Sequence, residues 1–84
     1  DKKLNLKLNF YNYAGSHLFE TPISKEQKIK DLGEGKTQVK ALQSDTGQLR
    51  WWILGFGGDV EVVSPKSLRT EIKETIKAMN KLYD

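Results

Sequence analysis

The sequence predicts an α+β domain in which helices pack on a four-stranded antiparallel sheet, and three observations carry this prediction. Residues 3–10 alternate strictly between apolar and polar side chains, which is the period of a half-buried strand. Glycines at positions 33 and 35 separate two short β-type segments, as in a hairpin. Residues 49–56 place apolar side chains three and four positions apart, as on one helix face, directly before a β-branched segment.

In the first half of the chain we predict a strand, a short helix and a hairpin. The strand over 3–10 is expected to turn four side chains inward: Leu4, Leu6, Leu8 and Phe10. A short helix is predicted over 13–20, because apolar and aromatic residues there stand four apart, and it should end before Pro22. Strands are predicted over 27–32 and 37–42, on either side of the glycine turn.

The next elements are expected to be a helix and a strand. Ser44-Asp45 is predicted to open the helix, with Asp45 and Gln48 spaced as in a capping box. The core face of this helix presents four apolar residues: Leu49, Trp52, Ile53 and Phe56. The glycines at 57–58 are expected to end the helix before a β-branched strand over 59–63.

A last helix is predicted over 65–83, because Ser64-Pro65 offers a serine N-cap and a proline at the first helical position. It carries an apolar stripe: Leu68, Ile72, Ile76, Met79, Leu82 and Tyr83. The six elements before it match the βαββαβ order of ferredoxin-like folds. The last helix is an addition to that order, and it could close a sheet edge, cover the helix side or reach a second subunit.

Composition limits the function classes. With 84 residues, 37% hydrophobic and 30% charged, the chain has the size of one domain, spanning 1–84, and its net charge of +3 is mild. It has no cysteine, which excludes a disulfide framework, a thiolate zinc site and a cysteine nucleophile. No apolar run approaches the roughly 20 residues of a membrane span, and no signal peptide is recognisable. We expect a cytoplasmic protein and, because the chain starts at Asp1, a fragment of a longer one.

Side chains suited to catalysis are few, and we predict that the domain is not an enzyme. The single histidine, His17, directly follows Ser16, and adjacent positions on a helix do not face each other. The glycines at 55–58 follow a helix and precede a strand, which is the reverse of a phosphate-binding loop. No metal-ligand spacing is present, and we expect neither a metal nor another cofactor.

Lysines of the predicted strands form one candidate surface. If the leucines of the first strand face the core, five lysines share the open face of the sheet: Lys3, Lys7, Lys28, Lys30 and Lys40. Such a face would bind an anion, a nucleic acid or an acidic partner, or it would simply be solvated. It carries no aromatic pair in mid-strand, which argues against sequence-specific reading of RNA.

Trp51 is a second candidate. It lies about 200° around the helix from Leu49, at about 100° per residue, and should therefore point away from the core. Exposed tryptophan is enriched at interface hot spots, so Trp51 is expected to face a partner. The alternative is that it packs under the last helix or the loop before Lys25.

A third candidate is the polar surface of the last helix. A basic ridge flanks the apolar stripe: Lys66, Arg69, Lys73 and Lys77. Glu71 and Glu74 lie on the other side. Charges sorted in this way suit a plain helix surface on a core, and they also suit a helix docked across a two-fold axis.

The second half of the chain resembles a known family. The resemblance lies in Leu49-Arg50-Trp51-Trp52-Ile53-Leu54-Gly55-Phe56-Gly57-Gly58-Asp59-Val60-Glu61-Val62-Val63-Ser64-Pro65, followed by Leu68-Arg69. It is similar to the C-terminal extension of WYL-domain proteins, called WCX, in which a tryptophan-bearing helix leads into a strand and a last helix. Residues 22–27 are similar to the first half of that family. Two features depart from it: the first helix, which is usually more regular in the family than over residues 11–20, and Trp51, where the family usually has a polar or charged residue.

The resemblance implies a bacterial transcription regulator with an N-terminal winged-helix domain that binds DNA, a WYL domain and this C-terminal extension. It implies a non-catalytic role in dimerisation and effector sensing, with the WYL domain of the same chain and a nucleic-acid or small-molecule effector as partners. The family's ligand residues lie mainly in the WYL barrel, so none is carried over. The expected partner or effector surface consists of Trp51, Lys7, Lys28, Lys30, Lys40, Arg69 and Lys73. The alternative is an autonomous domain that binds single-stranded nucleic acid through the lysine-rich sheet face.

Overall fold

The computed structural model describes residues 2–84 and contains a four-stranded antiparallel sheet with two α-helices. The strands are β1 (Lys3–Phe10), β2 (Lys28–Gly33), β3 (Lys36–Ser44) and β4 (Val60–Ser64). The helices are α1 (Gly47–Leu54) and α2 (Lys66–Leu82), and two short 3₁₀ turns cover Ser16–Phe19 and Gly57–Asp59. The predicted α+β class is confirmed.

The sheet order is β2-β3-β1-β4, so β1 and β3 form its centre. Along β1, side chains alternate between the two faces, and the inward set is buried as predicted, at 0–8% exposure: Leu4, Leu6, Leu8 and Phe10. Leu8 lies opposite Val39 on one side and Val62 on the other. These side chains form one core with the buried residues of α1 and the first half of α2.

The helix predicted over 13–20 is wrong. Asn12 and Tyr13 have φ angles of 56° and 64°, in the left-handed region that a helix cannot contain. Gly15 passes directly over Phe10, and a Cβ atom there would lie 2.9 Å from the Phe10 Cβ. Only the 3₁₀ turn Ser16–Phe19 follows, and it places Leu18 in the core at 1% exposure. The crossover from β1 to β2 is therefore an irregular loop that buries Leu18 in the core.

The N-terminus of α1 also differs from the prediction. Thr46, not Asp45, is its N-cap, and the Thr46 hydroxyl accepts a hydrogen bond from the backbone N–H of Leu49 at 3.1 Å. Asp45 instead pairs with the guanidinium of Arg50 at 2.6 Å. The helix ends at Leu54, earlier than the predicted stop at residues 57–58.

α2 is only half covered by the core. Ser64 belongs to β4 and gives α2 no side-chain cap, contrary to the prediction, and the helix starts at Lys66 after an extended Pro65. Leu68 and Ile72 are buried against the sheet, at 2% and 8% exposure. Beyond them the apolar stripe lies in the open, at 47–87% exposure: Ile76, Met79, Leu82 and Tyr83. We call these four residues the outer stripe.

Candidate functional site

Three lysines lie directly opposite one another on the open face of the sheet. Lys40 of β3 pairs with Lys7 of β1 on one side and with Lys28 of β2 on the other. Directly opposite residues of antiparallel strands have Cβ atoms about 5 Å apart, so the three side chains are immediate neighbours. We call Lys28, Lys40 and Lys7 the lysine row. Alternation along β1 places it on the face opposite the buried leucines.

The lysine row borders a shallow depression of about 430 Å³, lined also by Asn5, Leu42 and the edge residue Ser64. Glu26 is the acidic residue on its rim. Among residues 2–84, no carboxylate lies within 4.0 Å of the ammonium groups of the row. Like charges directly opposite each other are destabilising. The lysine row therefore holds three positive charges side by side at a cost in stability, and the described part of the chain does not neutralise them.

The neighbouring rows of the open face carry fewer lysines than the lysine row. On one side lie Asn5 and Leu42, which pair with each other. On the other side the register aligns Lys30, Gln38, Asn9 and Glu61 across the four strands. Gln38 donates a side-chain hydrogen bond to Asn9 at 3.2 Å, which orders the middle of that row. Lys3, one of the five predicted lysines, lies farther along β1 and donates to the Ser44 hydroxyl at 3.3 Å.

Glu61 forms a polar cluster at the β4 edge of the open face. The Tyr11 hydroxyl donates to Glu61 Oε1 at 2.7 Å, and Arg69 Nη1 donates to Glu61 Oε2 at 2.9 Å. The hydrogen bonds from Arg69 and Tyr11 lower the pKa of Glu61, and the same bond to Glu61 raises the pKa of Tyr11. Arg69 also donates to the Val62 carbonyl oxygen at 2.9 Å. Arg69, a predicted site residue, therefore uses its charge to hold α2 against β4.

The basic ridge of α2 is not a uniform charged surface. Lys77 lies 3.8 Å from Glu74 on the same helix, and Arg69 is paired with Glu61. Lys73 remains without a carboxylate partner among the described residues, and it lines a depression between α2 and β4. The structure thus places Arg69 and Lys73 together at the β4 edge and does not bring either into the lysine row.

Trp51 is 73% exposed on the outer face of α1. Leu49 and Ile53 of the same helix are buried, and Trp52 packs its ring edge-on to Phe10 and Phe56, with centroids 6.1 and 5.0 Å apart. The exposure of Trp51 excludes the alternative in which its ring packs under the last helix or the loop before Lys25. Sequence reasoning therefore placed this side chain correctly, although its role stays a prediction.

An apolar groove between α1 and α2 escaped the sequence analysis. It has a volume of about 300 Å³, and its lining includes Leu54 of α1 together with Ile76 and Met79 of the outer stripe. Arg50 fixes the two helices beside each other, because its guanidinium hydrogen-bonds both carboxylate oxygens of Glu71 and also pairs with Asp45. An apolar stripe that continues beyond the core was the visible indication of this groove. We call Trp51, the groove and the outer stripe together the helix surface.

The histidine considered for catalysis makes an apolar contact. His17 stacks on Phe56 with ring centroids 6.0 Å apart. Within the part of the chain that the structure describes, no cluster of three or more His, Asp or Glu side chains could hold a metal ion. None of the described helices is both long and apolar enough to cross a membrane.

Comparison with known protein families identifies the relatives of this chain. A family model described as the WCX domain matches residues 2–79, which is nearly the whole chain. No curated protein sequence matches the chain. The match includes all four strands, α1 and most of α2, so the lysine row and the groove both lie inside the matched region.

Proposed function

Because the chain belongs to the WCX domain family, we propose that it is a non-catalytic regulatory domain of a cytoplasmic WYL-type transcription regulator in bacteria. In this role it contributes to dimerisation and to effector sensing beside the WYL domain of the same chain. Support comes from the resemblance of the whole domain to extensions of such regulators. Its described surface also offers two candidate binding features, the lysine row and the helix surface.

The exposed helix surface is the observation that carries the proposed dimerisation. A tryptophan that is 73% exposed on α1 and an outer stripe that is about half or more exposed on α2 leave apolar area uncovered on the two helices. Apolar patches of this kind mark interaction sites, and tryptophan is enriched at their energetic centres. The apolar groove beside α2 would receive side chains of a second copy.

Sedimentation equilibrium of the 84-residue chain tests this proposal. Met79→Ser on the groove is expected to weaken self-association, and Leu42→Ser on the open sheet face is its matched control, because these side chains are 47% and 43% exposed. Trp51→Ala should weaken association in the same direction, with unchanged circular dichroism. A wild-type chain that stays monomeric at millimolar concentration would remove dimerisation through this surface.

A second candidate function is binding of single-stranded nucleic acid by the open sheet face, and the lysine row favours it. Here β3 lies between β1 and β2, and β1 lies between β3 and β4, which supports a ferredoxin-like plan with an irregular first crossover. Several nucleic-acid binders use the open face of a four-stranded sheet. Titration with a thymidine oligonucleotide at low salt tests this candidate, and an absence of chemical-shift changes would reject it.

A further inference from the structure

We infer that the lysine row is a site for one terminal phosphate group, the phosphomonoester at the end of an oligonucleotide or the free end of a pyrophosphate. This inference rests on the anion-binding role proposed for the sheet face, and it is independent of dimerisation through the helix surface. It narrows that role from a general attraction for polyanions to recognition of a single doubly charged group.

The geometry of the row supports a compact ligand. Lys40 lies between Lys28 and Lys7 on adjacent strands, and strands are about 4.8 Å apart, so the row spans about 10 Å. Three flexible ammonium groups at this spacing can converge on the oxygens of one phosphate above Lys40. The depression at the row continues to Ser64 on β4, whose hydroxyl can donate a further hydrogen bond.

The distribution of charge argues against a long run of phosphodiesters. Asn5 and Leu42 on one side of the row are neutral. On the other side Lys30 is followed by two amides, and Glu61 at the far edge is paired with Arg69. A polynucleotide backbone that continues beyond the lysine row would meet only the single charge of Lys30 on one side and neutral side chains on the other, whereas a terminal phosphate places its whole charge within the row. A phosphomonoester carries about 1.5 to 2 negative charges near pH 7, more than the single charge of a phosphodiester.

The open face also offers little for nucleobases. The side chains in the middle of its strands are lysines, amides and Leu42, and Tyr11 lies at the β4 edge, where Glu61 holds its hydroxyl. Base stacking on aromatic rings supplies much of the affinity of sheet-based RNA binders. On this face, binding energy is therefore expected to come from the phosphate and not from the bases.

Isothermal titration of the 84-residue chain with three probes tests the inference. The probes are hexathymidylate with a 5′-phosphate, the same oligomer with a 5′-hydroxyl, and inorganic pyrophosphate. We expect the 5′-phosphate to improve affinity by about tenfold, the scale of one or two charge-assisted hydrogen bonds. The gain should fall away below about pH 6, where the phosphomonoester takes up its second proton. Pyrophosphate that binds as tightly as the phosphorylated oligomer points to a small-molecule ligand, and weaker pyrophosphate binding points to a nucleic-acid end.

Matched variants locate the site. Lys40→Gln, at the centre of the row, is expected to abolish the advantage of the 5′-phosphate, while Lys81→Gln, an equal charge change near the end of α2, should preserve it. Equal binding of the two oligomers would overturn the inference while leaving the nucleic-acid candidate intact. Loss of the advantage in Lys81→Gln as well as in Lys40→Gln would also overturn it, because the effect would then follow net charge.

Discussion

The open sheet face and the helix surface cover one small core, and they differ in the interaction that each offers a partner: charge on the sheet face and apolar contact on the helix surface. On the sheet face, strand register aligns three lysines whose charge is left without nearby carboxylates in the described chain. On the helix side, α2 continues past the core and leaves apolar side chains exposed beside a groove. The first surface suits anions and should depend on salt, while the second suits an apolar partner and should not.

Both surfaces depend on the core between them, so a core truncation should produce the largest effect. Leu8 is completely buried, and Lys7 beside it faces the open sheet. Leu8→Ala is expected to lower the free energy of unfolding by about 2–5 kcal/mol, since it removes buried methyl groups and leaves a cavity. Urea denaturation measures this loss. Lys7→Ala should change the free energy by less than about 0.5 kcal/mol, and a comparable loss in both variants would contradict the assigned alternation.

The second-largest expected effect is that added salt should weaken binding at the open sheet face but not self-association through the helix surface. If the open face binds single-stranded DNA with a separate phosphate against each of the three lysines of the row, raising salt from 50 to 200 mM is expected to weaken binding by roughly twentyfold, from a slope of about −0.7 per neutralised phosphate. Self-association through the helix surface should change by less than about twofold over the same range. Fluorescence anisotropy and sedimentation equilibrium measure the two effects. A steep salt dependence of self-association would show that charged groups, and not the outer stripe, hold the copies together.

The ion pairs of Arg50 should contribute less, because Glu71 is about half exposed. Arg50→Gln is expected to lower the free energy of unfolding by about 1 kcal/mol near pH 7, mainly by releasing α2 from α1. The hydrogen bonds from Arg50 lower the pKa of Glu71 in the folded state. A carboxyl with a lowered folded pKa stabilises the fold above its unfolded pKa of about 4.3 and loses this contribution as pH falls through the folded value.

The pH dependence supplies the check on this prediction. Chemical denaturation at pH 7 and at pH 3 should show a smaller difference between wild type and Arg50→Gln at the lower pH. Glu74→Gln, which removes an exposed pair with Lys77, is the control and should have almost no effect at either pH. A difference of the same size at both pH values would show that Arg50 stabilises the domain through contacts that do not titrate, such as its hydrogen bond to the Thr46 carbonyl oxygen, and not through Glu71.

The two surfaces also differ in how far the sequence predicts them. Alternation along β1 is enough to assign Lys7 to the open face, because the side-chain period of a strand is fixed by its backbone. That Lys40 lies directly between Lys7 and Lys28 depends on register, which long-range pairing sets. The apolar stripe of α2 is visible in the sequence, but the point where the core ends depends on the packing of α2 against β4 and α1.

Local errors in the prediction have similar physical causes. Residues four apart over 13–20 suggested a helix, but the left-handed φ of Asn12 and Tyr13 and the close approach of Gly15 to Phe10 are tertiary features. At α1, two residues could serve as the N-cap, and the pairing of Asp45 with Arg50 leaves Thr46 to cap the helix. Spacing alone does not distinguish these alternatives, because each requires partners distant in sequence or on a later helical turn.

The smallest expected effect is a gain in the free energy of unfolding, whereas the substitutions of Leu8 and Arg50 should lower it. Lys40 has a like charge directly opposite it on both sides, and such cross-strand pairs contribute on the order of 0.2–1 kcal/mol each. Lys40→Gln is therefore expected to raise the free energy of unfolding by a few tenths of a kcal/mol at low salt, an advantage that should disappear at high salt as screening weakens the repulsion. Thermal denaturation at 10 and 500 mM salt measures it. Destabilisation by Lys40→Gln at low salt would mean that the lysine row does not repel itself, and that the charge contrast between the two sides of the domain is weaker than the register indicates.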